Sequence, residues 1–267
     1  MLHETVRQLY SDQPQRTLYH YTSLIGLMGI VEQCNFWVSD IRYLNRRDRR
    51  KCLRSFVSGF ATGFWLILVQ RSSLVLSPRT GICLASGVAT VSMDGGVSIG
   101  FSPSKIIEYT QRHSFIIGRC IYDSETKSHL AEQVINAIIS TAELNGASPE
   151  FHPSQSYYGI FREIEPELLR IAALVKDRSF HEEKEWRVVS QIFSNYIEPP
   201  IKFREGSSML IPYIEMPLAE SGQKIQIEDI FVGPSPTMNL SVDSLSRYLR
   251  RSAMCGRIAS CGIPHRR

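Results

Sequence analysis

The chain lacks the devices by which several protein classes announce themselves. Its six cysteines, Cys34, Cys52, Cys83, Cys120, Cys255 and Cys261, make no C-x-x-C pair and share no even spacing. Neither a disulfide framework nor a zinc ribbon is therefore written into the sequence. They read as reduced, mostly buried thiols of a cytoplasmic protein, Cys83 and Cys120 lying in apolar runs. No G-x-x-x-x-G-K-[ST], G-x-G-x-x-G or H-E-x-x-H occurs, which sets aside the P-loop, the dinucleotide fingerprint and the zinc-protease helix. The seven histidines are scattered, and only His181 with Glu182 and Glu183 makes a dense His/carboxylate group, so no metal is expected. The first residues, Met1-Leu2-His3-Glu4-Thr5, lack the basic-then-apolar profile of a signal peptide. The longest apolar run, Phe56 to Val69, is interrupted by Ser58, Gly59, Thr62 and Gly63 and falls short of the roughly 20 residues that cross a bilayer. It reads as a buried helix, with no membrane role. Internal repeats, low-complexity tracts and Gly/Ser linkers are absent too, so one domain over residues 1–267 is expected.

What is present is ordinary globular material: 267 residues, 43% hydrophobic and 21% charged. The net charge of +4 is unevenly placed. Arg42, Arg46, Arg47, Arg49, Arg50, Lys51 and Arg54 face the single Asp48, so this one segment carries +6. Such a patch either holds the phosphates of a nucleotide or nucleic acid, or is a solvated helix start. Aromatic residues interleave with it only at Tyr43.

Periodicity sketches the order of elements. Residues 1–15 form an amphipathic lead-in, Leu18 to Tyr21 a strand, and Ser23 to Gln33 a helix capped by Thr22 or Ser23. Phe36 to Asp40 follows as a strand and 48–70 as a long helix. Strands at Ile82–Ala85 and Val97–Phe101 are joined by a turn at Asp94-Gly95-Gly96. A short helix over Ser104–Arg112 with Pro103 at or before its first turn, a strand over Phe115–Tyr122, and helices near 125–145 and 157–176 come next, with Pro166 expected to kink or divide the last. The final third returns to strands at Glu185–Gln191, Ile201–Arg204, Met209–Met216 and Ile225–Val232. A helix capped by Asn239 or Ser241 then runs through Arg251, and a strand within Gly256–Pro264 closes the sheet. Strands and helices cluster without regular alternation, so the fold class is α+β: a twisted, mainly antiparallel or split sheet flanked by helices.

The densest chemistry lies in Phe180-His181-Glu182-Glu183-Lys184-Glu185-Trp186-Arg187, a polar loop entering an apolar strand. Alternation puts Glu185, Arg187 and Val189 on one face and Trp186, Val188 and Ser190 on the other. The Glu185–Arg187 pair is either a brace at a strand end or the polar wall of a site. His20, between Tyr19 and Tyr21, stands at a strand edge and is open to the same two readings.

Together these stretches resemble a bacterial family of unknown function whose members carry LYHYTS, SDIRYLN, GVSIGF, EKEWR, RxGxxxLIPY, VGPS and IPYR-like motifs. Here they are Leu18 to Ser23, Ser39 to Asn45, Gly96 to Phe101, Glu183 to Arg187, Arg204-Glu205-Gly206 with Leu210 to Tyr213, Val232 to Ser235, and Ile263 to Arg266. That family is distantly similar to ADP-ribosyltransferases, and some members sit among phage-defence proteins. The resemblance implies an ADP-ribosyltransferase-like fold and an effector that uses NAD. Glu185 and His20 would be catalytic, and His20, Tyr21, Thr22, Arg187 and Glu183 would hold the co-substrate. A carboxylate beside the ribose would stabilise the positive charge that builds as the N-glycosidic bond breaks. Two departures stand out. A WRxY-like segment of the family has no counterpart in Gly87 to Met93, with Tyr157 and Tyr158 as candidate replacements, and basic residues replace the family's acidic ones after SDIRYLN. The rival expectation is a non-catalytic binding module, or a degenerate family member, in which Arg42 to Arg54 engages nucleic acid or a nucleotide and the Glu185–Arg187 pair braces the sheet. A nuclease or other toxin on the same shell is a third.

Overall fold

A computed structural model describes residues 2–40, 72–76, 96–144, 153–191, 200–206, 208–254 and 256–260. The basic segment 42–54, the apolar run 56–69, the expected strand at 82–85, the turn at Asp94-Gly95 and the terminal residues 261–267 lie outside them.

Local sequence sets most of the boundaries. The lead-in is helix α1, Leu2–Leu9, which buries Leu2 and Val6. Strand β1, Leu18–Thr22, passes directly into α2, Leu24–Gln33. The Ser23 hydroxyl caps α2 by accepting from the Gly26 N–H at 3.1 Å, and Cys34 closes it in the left-handed region with its N–H on the Ile30 carbonyl. Strand β2 is Asn35–Asp40, β3 is Ser72–Leu76 and β4 is Val97–Phe101. Pro103, with no N–H to lose, opens α3, Pro103–Arg112. After β5, Ile116–Arg119, come α4, Ser124–Leu144, and α5, Pro153–Leu174. Helix α5 runs through Pro166 as one element, where the sequence allowed a division. Strands β6, Trp186–Val189, β7, Lys202–Glu205, and β8, Leu210–Pro217, follow. The expected strand over Ile225–Val232 is reduced to β9, Asp229–Val232. Helix α6, Met238–Arg251, begins ahead of both expected caps, its preceding residue being Thr237. Strand β10, Arg257–Ser260, ends the described chain.

The strands make two sheets, ordered β1-β4-β9-β10 and β5-β6-β3-β2-β8-β7. All pairings are antiparallel except β9 with β10. The protein is thus α+β with a split, mainly antiparallel sheet. Registers assign the faces. In the larger sheet Val38 stands opposite Ile214, and Leu74 opposite Val188. Val38, Ile214, Phe36, Met216, Val188 and Trp186 enter one core with Leu18, Ile99 and Ile230 of the smaller sheet. That side of each sheet is its inner face. Phe36 sits at the junction, its ring edge-on at 5.1 Å to both His20 and Phe101. Burying side chains of this size contributes about 2 kcal/mol each, which is what joins the sheets.

A second apolar cluster joins α1, α4 and α5 through Leu2, Val6, Leu130, Val134, Ala137, Ile138 and Ile171. This helical layer lies on the outer face at the β5–β6 end. Gly118 of β5, opposite Arg187, leaves room for the Tyr10 ring and Leu174, either of which a Cβ there would crowd at under 3 Å.

Candidate functional site

The chain between α5 and β6 is folded to bring charges together. Leu174 ends α5, and Val175 bridges in parallel to Ile121. Asp177 then caps a short 3-10 helix, Arg178–Glu183, its carboxylate accepting from the Ser179 N–H at 2.9 Å. Lys184 turns the backbone back in the left-handed region at φ 46°. Lys176 and Glu185 therefore flank one tight excursion and meet at its base.

Glu185 is fully buried. Both of its oxygens are taken: Oε1 by Arg187 Nε at 2.6 Å, Oε2 by Lys176 Nζ. The same ammonium also pairs with Glu183, and the Phe180 ring lies 5.0 Å from it. Arg187 Nη1 donates to the Ala173 carbonyl at 2.7 Å, tying β6 to the end of α5. The Tyr122 hydroxyl accepts from the Glu185 N–H at 2.9 Å. Two carboxylates and two cations balance, as buried charges require. Burial alone would push the Glu185 carboxyl up; the charges of Arg187 and Lys176, with their hydrogen bonds, overcome it and hold it below the usual carboxylate range. Burial likewise works against the Lys176 ammonium, but Glu185 and Glu183 outweigh it and raise its pKa. Burial pushes the Tyr122 phenol well up, so it stays protonated.

The alternation expected of Glu185 and Arg187 holds: the two share the outer face, whereas Trp186 and Val188 belong to the inner core. Glu183, Glu185 and Arg187 are thus one cluster. His20, Tyr21 and Thr22 are elsewhere, on β1 of the other sheet. The His20 ring packs on Phe36 from the inner face, while Glu185 turns to the outer face beneath α5. Sequence reasoning missed Lys176 and Tyr122. The signal for Lys176 was a lone cation closing the apolar run Ile171 to Val175.

Tyr19 of β1 has a structural use. Tyr19, Gly100, Asp229 and Arg257 stand in one row across all four strands of the smaller sheet. The Tyr19 ring crosses β4 over Gly100, and its hydroxyl donates to Asp229 Oδ2 at 3.1 Å. A Cβ at Gly100 would collide with Asp229 Oδ1 and press on the Tyr19 ring. Burial raises the Tyr19 pKa, with the Asp229 charge adding to it. Sequence reasoning counted the G-x-S-x-G spacing of a nucleophile elbow as absent, yet Gly96-Val97-Ser98-Ile99-Gly100 carries it. Ser98, however, is buried in mid-strand, with no strand-to-helix turn to present it. Of the cysteines, Cys34 is half-buried and Cys120 buried, and the other four lie outside the described residues. No helix among the described residues is long and apolar enough to cross a membrane.

Residues 91–188 match the family described as "Protein of unknown function (DUF2971)". That span runs from just before β4 into β6 and contains Tyr122, Lys176, Glu183, Glu185 and Arg187. His20 and the basic segment fall outside it. No curated protein and no solved structure matches the chain significantly.

Proposed function

We propose that the protein is a non-catalytic, cytoplasmic binding module for a nucleotide or nucleic acid, engaged through Arg42 to Arg54, and that the Glu185–Arg187 pair braces the sheet. The observation that carries this reading is the closure of Glu185: a fully buried carboxylate with a cation on each oxygen is shut away from a ribose hydroxyl. Removing one partner of such a pair costs about 3–5 kcal/mol, so freeing Glu185 for a substrate would carry a comparable penalty. The +6 segment supplies the long-range attraction a phosphate backbone needs.

The competing reading is NAD-dependent ADP-ribosyl transfer in bacterial phage defence. It would require Glu185 to leave Arg187 or Lys176 and to meet His20 across the two sheets. The test is to incubate the purified protein with labelled NAD and with labelled nucleic acid in parallel. Salt-sensitive nucleic-acid binding, lost on charge reversal at Arg46, Arg47, Arg49 and Arg50, with no nicotinamide release, is expected. Label transfer abolished by Glu185→Gln and His20→Ala in folded protein would replace this proposal with the transferase.

A further inference from the structure

The basic segment has no interleaved aromatic residue beyond Tyr43, yet the strand that precedes it in the sequence carries one on an open face. Trp37 and Ser39 alternate onto the outer side of β2, away from the core that holds Phe36 and Val38. Trp37 remains 40% exposed. One side of its indole rests on Tyr213 of β8, with ring centroids 4.8 Å apart and planes inclined by 32°. Its Nε1–H is fixed on Gln33 Oε1 at 2.9 Å. The ring is therefore held in place on one side and presented on the other.

Beside it stands a cation that has no anion among the described residues. Ser39 of β2, Tyr213 of β8 and Lys202 of β7 form one row, and Arg204 lies two residues beyond Lys202 on the same face. Arg204 Nη2 donates to Ser39 Oγ at 3.1 Å, while its Nε is buried and has no hydrogen-bond partner. No carboxylate among the described residues pairs with this guanidinium. Burial is the chief cause of its lowered pKa. A part-desolvated guanidinium with an idle donor matches an oxyanion. Lys202, paired to Glu215 at 2.7 Å, adds an exposed cation at the rim. Trp37 and Ser39 are two residues apart on one strand, about 7 Å, a separation that a base and its own phosphate can span.

We infer that the outer face of β2, β8 and β7 binds a nucleobase with its phosphate, the base stacked on Trp37 and the phosphate on Arg204. The inference rests on the binding-module reading and names a sequence-tolerant subsite for it, since every base has a face to stack. Strand β2 ends at Asp40, only two residues before Arg42 in the sequence. A free nucleotide and a single strand share this chemistry.

The experiment is a titration of the full chain with a labelled oligothymidylate of about 12 nucleotides and, separately, with thymidine monophosphate, read by anisotropy and by tryptophan fluorescence. Trp37→Ala should weaken the oligonucleotide about tenfold, with Trp37→Phe restoring most of it. Arg204→Gln should lower the dependence of log affinity on log salt by about one unit. Monophosphate binding with the same sensitivity to both variants would assign the site to a free nucleotide; binding of the oligomer alone assigns it to a strand. If folded Trp37→Ala and Arg204→Gln bind like the parent while charge reversal at Arg46 and Arg47 abolishes binding, the inference falls and the module reading stands. If the parent binds neither ligand at low salt, both fall.

Discussion

The outer face of the larger sheet carries two groups of charges that differ in completeness. At the β6 end, Glu185, Glu183, Arg187 and Lys176 are roofed by α5, and every oxygen of Glu185 has a cation. At the β7 end, Arg204 is drawn from water with a hydroxyl on one nitrogen and nothing on another, beside an indole that faces solvent. A closed set of charges has settled its electrostatics within the fold, and reopening it costs stability. An unclosed set is tolerated only where it is half wet or where something else completes it. By that criterion the proposed reading takes the residues most conspicuous in the sequence as structural and gives a quieter stretch to the ligand.

The comparison can be broken first at the closed end. Glu185→Gln should destabilise the fold by about 3–5 kcal/mol in urea unfolding, because two buried cations lose their shared carboxylate. A change below about 1 kcal/mol would mean that the cluster is looser than its geometry.

The pH dependence has a definite sign at both limbs. The Glu185 carboxyl is held below its ordinary value, so its stabilisation is complete above about pH 4.3 and is lost as pH falls through the lower, folded value. The Lys176 pKa is raised, so its contribution is complete below about pH 10.4 and is lost as pH climbs past the higher, folded value. In acid and alkaline unfolding series, Lys176→Met should remove most of the alkaline loss and leave an acid limb shifted toward neutrality.

Tyr19→Phe removes one hydrogen bond to a buried carboxylate and should cost about 1–3 kcal/mol. It tests whether the resemblance around β1 reflects packing between strands. The smallest effect belongs to the open end. Arg204→Met should leave stability within about 0.5 kcal/mol or raise it slightly, since it removes a cation that the fold does not match. A loss comparable to that of Glu185→Gln would erase the distinction between the two ends.

Much of the architecture was legible because it rests on local rules. Ser23 capping α2, Pro103 opening α3 and the alternation of Glu185, Trp186, Arg187 and Val188 were each fixed by neighbours in the chain. The α+β class followed from clustering of elements. What was not legible depends on pairs distant in sequence. Lys176 is nine residues from Glu185 and separated from it by a 3-10 turn that no periodicity announces. The Tyr19–Asp229 bond spans 210 residues and needs the order β1-β4-β9 to exist. The pairing of Trp37 with Tyr213, and the idle nitrogen of Arg204, likewise appear only once β2, β8 and β7 are adjacent. The shortening of the 225–232 strand and the early start of α6 show how apolar runs and cap residues overstate or misplace ends.

The most direct test sets the two ends against each other in one assay. The oligothymidylate titration is run on Trp37→Ala, on Glu185→Gln and on the milder Glu183→Gln, using variants whose circular dichroism matches the parent. The account predicts that Trp37→Ala weakens binding about tenfold while both glutamate variants bind like the parent. Loss of binding in the folded glutamate variants with Trp37→Ala unaffected would contradict it and return the site to the β6 end.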